Sequence, residues 1–179
     1  TTSILKNSAL PTVCEEAKCP NRFECYSKKT ATFLVLGKEC TRACGFCDID
    51  TSSAPPPPEK DEPERLVESV KSLGLKHVVI TMVARDDLPD GGSAHLAQIL
   101  SLLKAKCPNT SAEVLTSDFQ GMRSSIDTVL AERPQIFNHN IETTERLTPT
   151  VRHKATYARS LKVLSHVNDS KAVEWIKSG

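Results

Sequence analysis

Strands and helices alternate along most of this chain, and that alternation restricts its fold more than any other feature. Runs rich in β-branched and apolar residues predict strands at 30–36, 77–83, 113–115, 135–141 and 173–176. Apolar positions at helical spacing predict helices at 62–73, 94–105, 124–132 and 156–166. This alternation, with a period of about 30 residues, is typical of βαβ crossovers on a parallel sheet. Periodicity alone leaves two architectures open, part of an α/β barrel and a doubly wound sheet.

The first 29 residues differ from the rest of the chain. They show no regular period and carry three cysteines, so we expect an irregular segment organised around its ligands at 1–29 and an α/β domain at 30–179. Four consecutive prolines at 55–58 predict a stiff surface connector. Because the chain begins at Thr1 and stops at Gly179 without a polar tail, we expect a longer native protein. These residues alone would then be inactive or poorly folded.

Charge and hydropathy argue against several classes of partner. The 179 residues are 39% hydrophobic and 25% charged, and the formal net charge is +1. Such a balance gives no electrostatic basis for binding nucleic acid or a membrane surface. No apolar run reaches the roughly 18 residues that a membrane span requires, and no secretory leader is recognisable. We expect a bacterial cytoplasmic protein, or an organellar one if a leader preceded Thr1.

A cysteine triplet stands directly after the first predicted strand. Cys40, Cys44 and Cys47, here called the downstream triplet, have the spacing C-x3-C-x2-C. Thiolates suit iron–sulfur clusters and zinc, and a 4Fe–4S cluster normally takes four cysteines, so three ligands leave one iron open to a small molecule. The carboxyl end of a strand is also where barrel active sites lie. The alternative is structural zinc, which needs four ligands, commonly as paired C-x2-C half-sites, and only one C-x2-C is present.

A second triplet lies nearer the N terminus. Cys14, Cys19 and Cys25, here called the upstream triplet, have the spacing C-x4-C-x5-C and again lack a fourth ligand in their own segment. The remaining cysteine, Cys107, stands at a predicted helix end, and we interpret it as a free thiol rather than a ligand. An odd count of seven cysteines without a secretory leader indicates metal sites in a reducing compartment rather than disulfides.

The two triplets together resemble the lipoyl synthase family of the radical S-adenosylmethionine (SAM) superfamily. Phe46, which precedes the last cysteine of the downstream triplet, belongs to the same pattern. The resemblance runs from about residue 10 to the end of the chain. The further stretches that match are Gly74–Thr81, Arg85–Gly92, Glu113–Leu115, Phe137–Thr143 and Val151–Leu161.

This resemblance implies a partial (β/α) TIM-type barrel and a sulfurtransferase activity. It implies that the downstream triplet holds a 4Fe–4S cluster whose open iron binds SAM, and that SAM is cleaved to a 5′-deoxyadenosyl radical. The radical would remove hydrogen from C6 and C8 of an octanoyl group. The upstream triplet would hold an auxiliary 4Fe–4S cluster that is consumed as the sulfur source. No catalytic residue beyond the cluster ligands is implied, and the family's fourth auxiliary ligand, a serine, is expected beyond Gly179.

The resemblance also implies partners. These are octanoylated lipoyl carrier domains, such as E2 subunits and the glycine-cleavage H protein, and an electron donor such as ferredoxin or flavodoxin. Two other classes of function remain as alternatives, an iron–sulfur electron carrier and a zinc-binding interaction module. An electron carrier would need complete cysteine ligation, and a zinc module would bind no SAM.

Two polar stretches that follow predicted strands are candidates for SAM contacts. Asp90, Gly91 and Gly92 form a turn whose backbone can approach a ligand, although a plain turn into the next helix, with Ser93 as its N-cap, is the alternative. Asn140 and Glu142 leave the fourth strand and are candidates for the ribose hydroxyls.

The other polar residues are given structural interpretations. We do not expect His139 to bind a metal. A group of basic residues is interpreted as a solvated helix face rather than as a docking surface for an acidic domain. The group comprises Arg146, Arg152, His153, Lys154, Arg159 and Lys162.

Overall fold

The computed structural model describes residues 22–179, and five parallel strands form the sheet at their centre. Helix α1 (Arg22–Ser27) leads into β1 (Thr30–Val35). The chain continues through α2 (Glu62–Leu73), β2 (His77–Met82), α3 (Ser93–Lys106), β3 (Ser111–Leu115), a 3-10 turn (Phe119–Gly121), α4 (Arg123–Ala131), β4 (Ile136–Asn138), α5 (Thr148–Val151), α6 (Tyr157–Ser170) and β5 (Trp175–Lys177). In this part of the chain no helix is long and apolar enough to cross a membrane.

The order of the strands decides between the two architectures that periodicity leaves open. The order across the sheet is β1-β2-β3-β4-β5, and every pair is parallel. A doubly wound sheet reverses its order at a switch point, whereas a barrel adds each new strand beside the previous one. Helices α2, α3, α4 and α6 also pack against one another in sequence order. The predicted partial barrel is therefore confirmed.

One face of the sheet is apolar and packs against the helices. Phe33, Ile80, Val114 and Phe137 are partners in register across β1 to β4, and none of them is accessible to solvent. They belong to the same buried cluster as the apolar residues of the helices, which include Leu66, Val70, Leu96, Ile99, Ile126 and Val163. Because side chains alternate along a strand, the opposite face is left for the interior of the barrel.

Three local expectations need correction. Residues 22–27 are helical, not irregular. Helix α3 begins at Ser93 itself, and Ser93 is not its N-cap. The Asp90 carboxylate caps the helix instead, because it accepts hydrogen bonds from the N–H groups of Gly92 and Ala94. Strand β4 ends at Asn138, since the carbonyl groups of residues 140 and 141 accept hydrogen bonds from Arg152 instead of a neighbouring strand.

Strand β5 forms one edge of the sheet among the described residues. All three residues of β5 are exposed, and Trp175 shows 63% of its surface to solvent. The division of the chain at residues 29 and 30 stays a prediction.

We expect Gly92→Ala to destabilise the fold more than Gly37→Ala. Both glycines have positive φ angles, +88° and +95°, so alanine is strained at either position. At Gly92 the added Cβ would also lie 2.4 Å from Cδ1 of the fully buried Leu36, whereas nothing lies within 4 Å at Gly37. This overlap should add about 1–3 kcal/mol to the cost, measurable by urea unfolding. Equal losses in the two variants would contradict the close contact.

We expect protonation of Glu113 to lower the stability of the fold as the pH drops below about 4.5. Burial alone raises the pKa of Glu113, but hydrogen bonds from His77, Lys177 and Asn138 outweigh it and lower the pKa to about 2. A carboxyl group with a depressed folded-state pKa stabilises the fold above its unfolded pKa and loses that contribution as the pH falls through the folded value. The contribution is about 3 kcal/mol.

Unfolding free energies measured between neutral pH and pH 2 on the wild type and on Glu113→Gln test this expectation. The variant should lack the part of the acid-dependent loss that Glu113 contributes, about 3 kcal/mol, because its amide does not titrate. An unchanged pH profile in Glu113→Gln would contradict the assignment.

Candidate functional site

A cavity opens where the carboxyl ends of the strands meet. Its volume is about 610 Å³, within the range typical of small-molecule sites. All three cysteines of the downstream triplet line it. Its wall continues along the inner face of the sheet through Thr32, Leu34, Thr81 and Leu115. The cavity therefore joins the cysteine loop to the interior of the barrel.

The cysteine loop, residues 40–47, is docked onto neighbouring elements by its own backbone and by short side chains. Thr41 donates from both N–H and Oγ1 to the carbonyl oxygen of Ala84, at 3.0 and 2.9 Å. The Thr41 hydroxyl also accepts a hydrogen bond from the N–H of Asp86. Farther along, the N–H of Gly45 donates to the carbonyl oxygen of Val151. The exit of β2 and helix α5 thus hold the loop at both ends.

The three thiols are free and reachable. Cys40 and Cys44 are half-buried, Cys47 is exposed, and none of them is in a disulfide. Burial raises the pKa of the Cys44 thiol, and the nearby guanidinium of Arg152 opposes that rise. The N–H of Arg42 donates to Sγ of Cys40 at 3.4 Å.

The donor set suits an iron–sulfur cluster. Three thiols from one loop line a common cavity, and thiolates are the ligands that such clusters take. Within residues 22–179, no three histidine, cysteine, aspartate or glutamate side chains lie close enough together to hold one metal ion.

A buried network of charges lies beside the loop. Arg42 forms ion pairs with Asp86 and Asp118, and Asp118 also pairs with Arg159. Burial raises the pKa of Asp118, but the hydrogen bond and the charge of Arg42 outweigh it, so the net pKa is lowered. The pKa of Arg42 is raised because the hydrogen bonds that it donates to the two aspartates outweigh its own burial. Arg42 and Asp118 therefore remain charged inside the protein.

Two of the predicted SAM contacts, Asn140 and Glu142, are brought together at the cavity. Both line it, and Nδ2 of Asn140 donates to Oε1 of Glu142 at 2.9 Å. Arg152 is 9% exposed and holds this segment by donating to the carbonyl oxygens of Asn140 and Ile141. Nearby, the hydroxyl of Thr116 is buried against the cavity and has no hydrogen-bond partner among the described residues. That hydroxyl is free to bind a ligand.

The other predicted SAM contacts are not part of the cavity lining. Asp90 uses its carboxylate to accept hydrogen bonds at the start of α3, and these bonds outweigh burial and lower its pKa. Gly91 packs against Phe119, and Gly92 packs against Leu36. The polar groups of this turn are used in capping the helix, and its role as a SAM contact stays a prediction.

His139 and half of the basic group are also tied into the fold. His139 is buried, its Nδ1 contacts the carbonyl oxygen of Thr116, and its Nε2 contacts the hydroxyl of Ser160. Burial lowers the pKa of His139, so the ring is neutral. The interpretation of the basic residues as a solvated face is wrong for Arg152, which is buried. The exposed Lys154 and the partly exposed Arg159 also bind groups of the site or its supports.

The remaining cysteines lie away from this loop in the chain. Cys25 is half-buried on α1, which precedes the amino end of β1. Cys14 and Cys19 lie outside the described residues. Cys107 is buried at the C-terminal end of α3, where Sγ contacts the carbonyl oxygen of Val67. It is a buried thiol, and its interpretation as a cysteine that binds no cluster stays a prediction.

Sequence reasoning missed three residues of the site. Arg42 and Asp118 are given no role from the sequence, and Arg152 is placed in the solvated basic group. Asp118 follows a strand just as Asn140 and Glu142 do, so the same signal of polar residues at a strand exit applied to it. Arg42 and Arg152 carried no comparable signal.

Comparisons with known proteins agree with this geometry. Residues 34–173 match the family model of the radical SAM superfamily. The lipoyl synthase of Protochlamydia amoebophila (strain UWE25) is 58% identical over 171 residues, which make up 96% of this chain and 53% of that protein. The lipoyl synthase of Chlamydia muridarum is 54% identical over 179 residues, which make up 100% of this chain and 58% of that protein. The chain thus spans just over half the length of these curated relatives.

A solved structure shows the same architecture. Methylornithine synthase superposes with a TM-score of 0.64 over 99% of this chain and 54% of its own, at 9% sequence identity. At that identity the likeness concerns the fold alone. The superfamily model, by contrast, covers most of the chain, including the downstream triplet. The chain belongs to the radical SAM superfamily, whose members use a 4Fe–4S cluster and SAM.

Proposed function

We propose that the protein containing this chain is a lipoyl synthase, which inserts two sulfur atoms at C6 and C8 of a protein-bound octanoyl group. The observation that carries the proposal is a triplet of free thiols around one cavity at the carboxyl end of the barrel. The identities of 58% and 54% to proteins named lipoyl synthase support the substrate class.

We assign the downstream triplet to the cluster that binds SAM. When bound, this cluster supplies the electron that cleaves SAM to methionine and a 5′-deoxyadenosyl radical. The chain's own residues would orient SAM. The carboxylate of Glu142 can accept hydrogen bonds from ribose hydroxyls, with Asn140 beside it, and the free hydroxyl of Thr116 can bind a further polar group of the ligand.

The inner wall of the barrel suits an acyl chain. Leu34 and Leu115 flank Thr81 in one row across the sheet, and Val83 and Ala84 continue the wall towards the cysteine loop. A saturated chain offers no polar group, so burial of apolar surface would hold it. A wall that excludes water also protects a reactive carbon radical from side reactions.

The upstream triplet would serve as the sulfur source. Cys25 lies before the amino end of β1, and the downstream triplet lies after its carboxyl end. Six residues of strand span about 20 Å, so Cys25 and the downstream triplet lie beyond opposite ends of one strand. This arrangement supports different roles for the two triplets, SAM binding for the downstream one and sulfur donation for the upstream one.

The partners follow from this chemistry. The substrate would be an octanoylated carrier domain, either an E2 subunit or a glycine-cleavage H protein, and a ferredoxin or flavodoxin would deliver electrons. We propose the bacterial cytoplasm as the location, because the similar lipoyl synthases are bacterial.

We expect the full-length protein, reconstituted anaerobically with iron and sulfide, to give a reduced-cluster paramagnetic resonance signal that SAM changes. The reason is that three thiolates leave one iron open. Cys44→Ala should abolish the SAM-sensitive part of the signal and the formation of 5′-deoxyadenosine. The matched control is Cys107→Ala, which removes a buried thiol that we do not expect to bind the cluster. This variant should retain the SAM-sensitive signal and the formation of 5′-deoxyadenosine.

Other outcomes would identify the alternatives. If SAM does not change the paramagnetic resonance signal of the reduced cluster in the parent protein, this result would favour an electron carrier. A colourless protein that takes up zinc and binds no SAM would favour an interaction module.

We expect Cys25→Ala to separate radical formation from sulfur insertion. The full-length variant should still cleave SAM, because the downstream triplet is intact. It should form no lipoyl product from an octanoylated peptide, because the sulfur source has lost a ligand. Mass spectrometry of the peptide and of 5′-deoxyadenosine measures the two steps. Lipoyl product at the parent level would show that the auxiliary role is wrong.

A further inference from the structure

The cysteine loop carries an arginine that is almost entirely buried. Arg42 lies between Cys40 and Cys44, and its side chain is 6% exposed. Its Nε and Nη2 donate to the two carboxylate oxygens of Asp86, at 2.8 and 2.7 Å. Nη2 also donates to Oδ1 of Asp118, at 2.6 Å. The guanidinium thus forms a bidentate ion pair with Asp86, and its Nη2 also bonds to Asp118.

The second aspartate extends the network into the barrel. Asp118 is completely buried, and it also accepts hydrogen bonds from Nη1 of Arg159 at 3.1 Å and from the N–H of Gln120 at 2.9 Å. Two cations and two anions therefore balance in this network. They connect the cysteine loop with the exits of β2 and β3 and with helix α6.

These contacts constrain the loop more strongly than its backbone bonds do alone. A planar guanidinium that forms a bidentate ion pair is fixed in both position and orientation. Buried ion pairs of this kind are costly to separate, because the remaining charge is left without a partner. Since Arg42 lies within the triplet, fixing its side chain also fixes the loop backbone that carries the thiols of Cys40 and Cys44.

We propose that Arg42 is a positioning residue for the downstream triplet. Its pairs with Asp86 and Asp118 hold the cysteine loop in shape before any cluster is assembled. The ligand thiols are then presented around the cavity by the protein itself, and the cluster does not have to fold the loop. This inference rests on the proposed function only in taking the downstream triplet as a cluster site.

Thiol reactivity in the metal-free, reduced, full-length protein tests the proposal. Arg42→Lys keeps the positive charge but cannot form the bidentate ion pair. The matched control is Arg123→Lys, which makes the same substitution at an exposed arginine of α4. Iodoacetamide labelling is followed for each cysteine by peptide mass spectrometry. In Arg42→Lys the half-buried Cys44 should label roughly ten-fold faster, the change that about 1.4 kcal/mol of local stability produces. The buried Cys107 should label at the parent rate in both variants.

Cys107 separates local loosening from unfolding. Faster labelling at Cys44 alone supports the proposal, and an unchanged rate at Cys44 overturns it. If Arg42→Lys exposes Cys107 as well, Asp86→Asn decides, because it removes the charge of the partly exposed partner and leaves the pair with the fully buried Asp118. In that variant, faster labelling of Cys44 with Cys107 protected supports the positioning role, and an unchanged Cys44 overturns it.

Reconstituted protein gives a second readout. Arg42→Lys should broaden the reduced-cluster signal and weaken its response to SAM, while Arg123→Lys matches the parent. A parent signal that ignores SAM would contradict the proposed function. A parent that responds, together with an Arg42→Lys variant that responds equally, would contradict only the positioning role.

Discussion

The whole arrangement depends on which face of the parallel sheet is buried against the helices. Phe33, Ile80, Val114 and Phe137 meet in register and are fully buried, so a slip of one residue would turn this row towards the barrel interior. Burial of such a row contributes far more than any single polar contact at the strand ends. The hydrophobic pattern thus fixes the register, and the register fixes which residues, Thr32 and Leu34 among them, face the cavity.

Charged groups are buried at the strand exits because each has a partner. Arg85 is 1% exposed, yet it pairs with Asp87 through two hydrogen bonds and donates to the carbonyl oxygen of Leu36. The N–H of Leu36 in turn donates to the buried carboxylate of Glu62. Leu36 has a positive φ of 71°, a conformation that such surrounding bonds must maintain. The turn that leads from β1 to the cysteine loop is therefore held by long-range polar contacts.

Much of the fold could be predicted from the sequence, because the signals are local. Helical spacing and β-branched runs lie within single segments, and both cysteine triplets are read directly from their spacing. The choice of a barrel came from the resemblance to a family, since strand order depends on pairing between distant segments. The boundary error at β4 has the same origin, because Arg152 lies 12 residues beyond the carbonyl group of Asn140 that it binds.

The candidate site was predictable only where chemistry and position coincide in the sequence. Asn140 and Glu142 combine a strand exit with polar side chains, and both line the cavity. The turn at Asp90 has the same composition as a ligand-binding turn, and only the geometry shows its carboxylate capping a helix. Arg42 and Asp118 are 76 residues apart, so their pairing depends on the juxtaposition of β1, β2 and β3 at one edge of the sheet.

The position of β1 explains how Cys25 and Cys40 can keep a fixed separation. All six residues of β1 are paired with β2, and the pairing is extended at the amino end, where the N–H groups of Lys76 and His77 donate to the carbonyl oxygen of Lys29. A paired strand cannot shorten or bend as a loop can, because each change would break bonds of the ladder. Cys25 and Cys40 stand before and after this strand, so the same ladder that builds the core also limits how far the separation of these two cysteines can change.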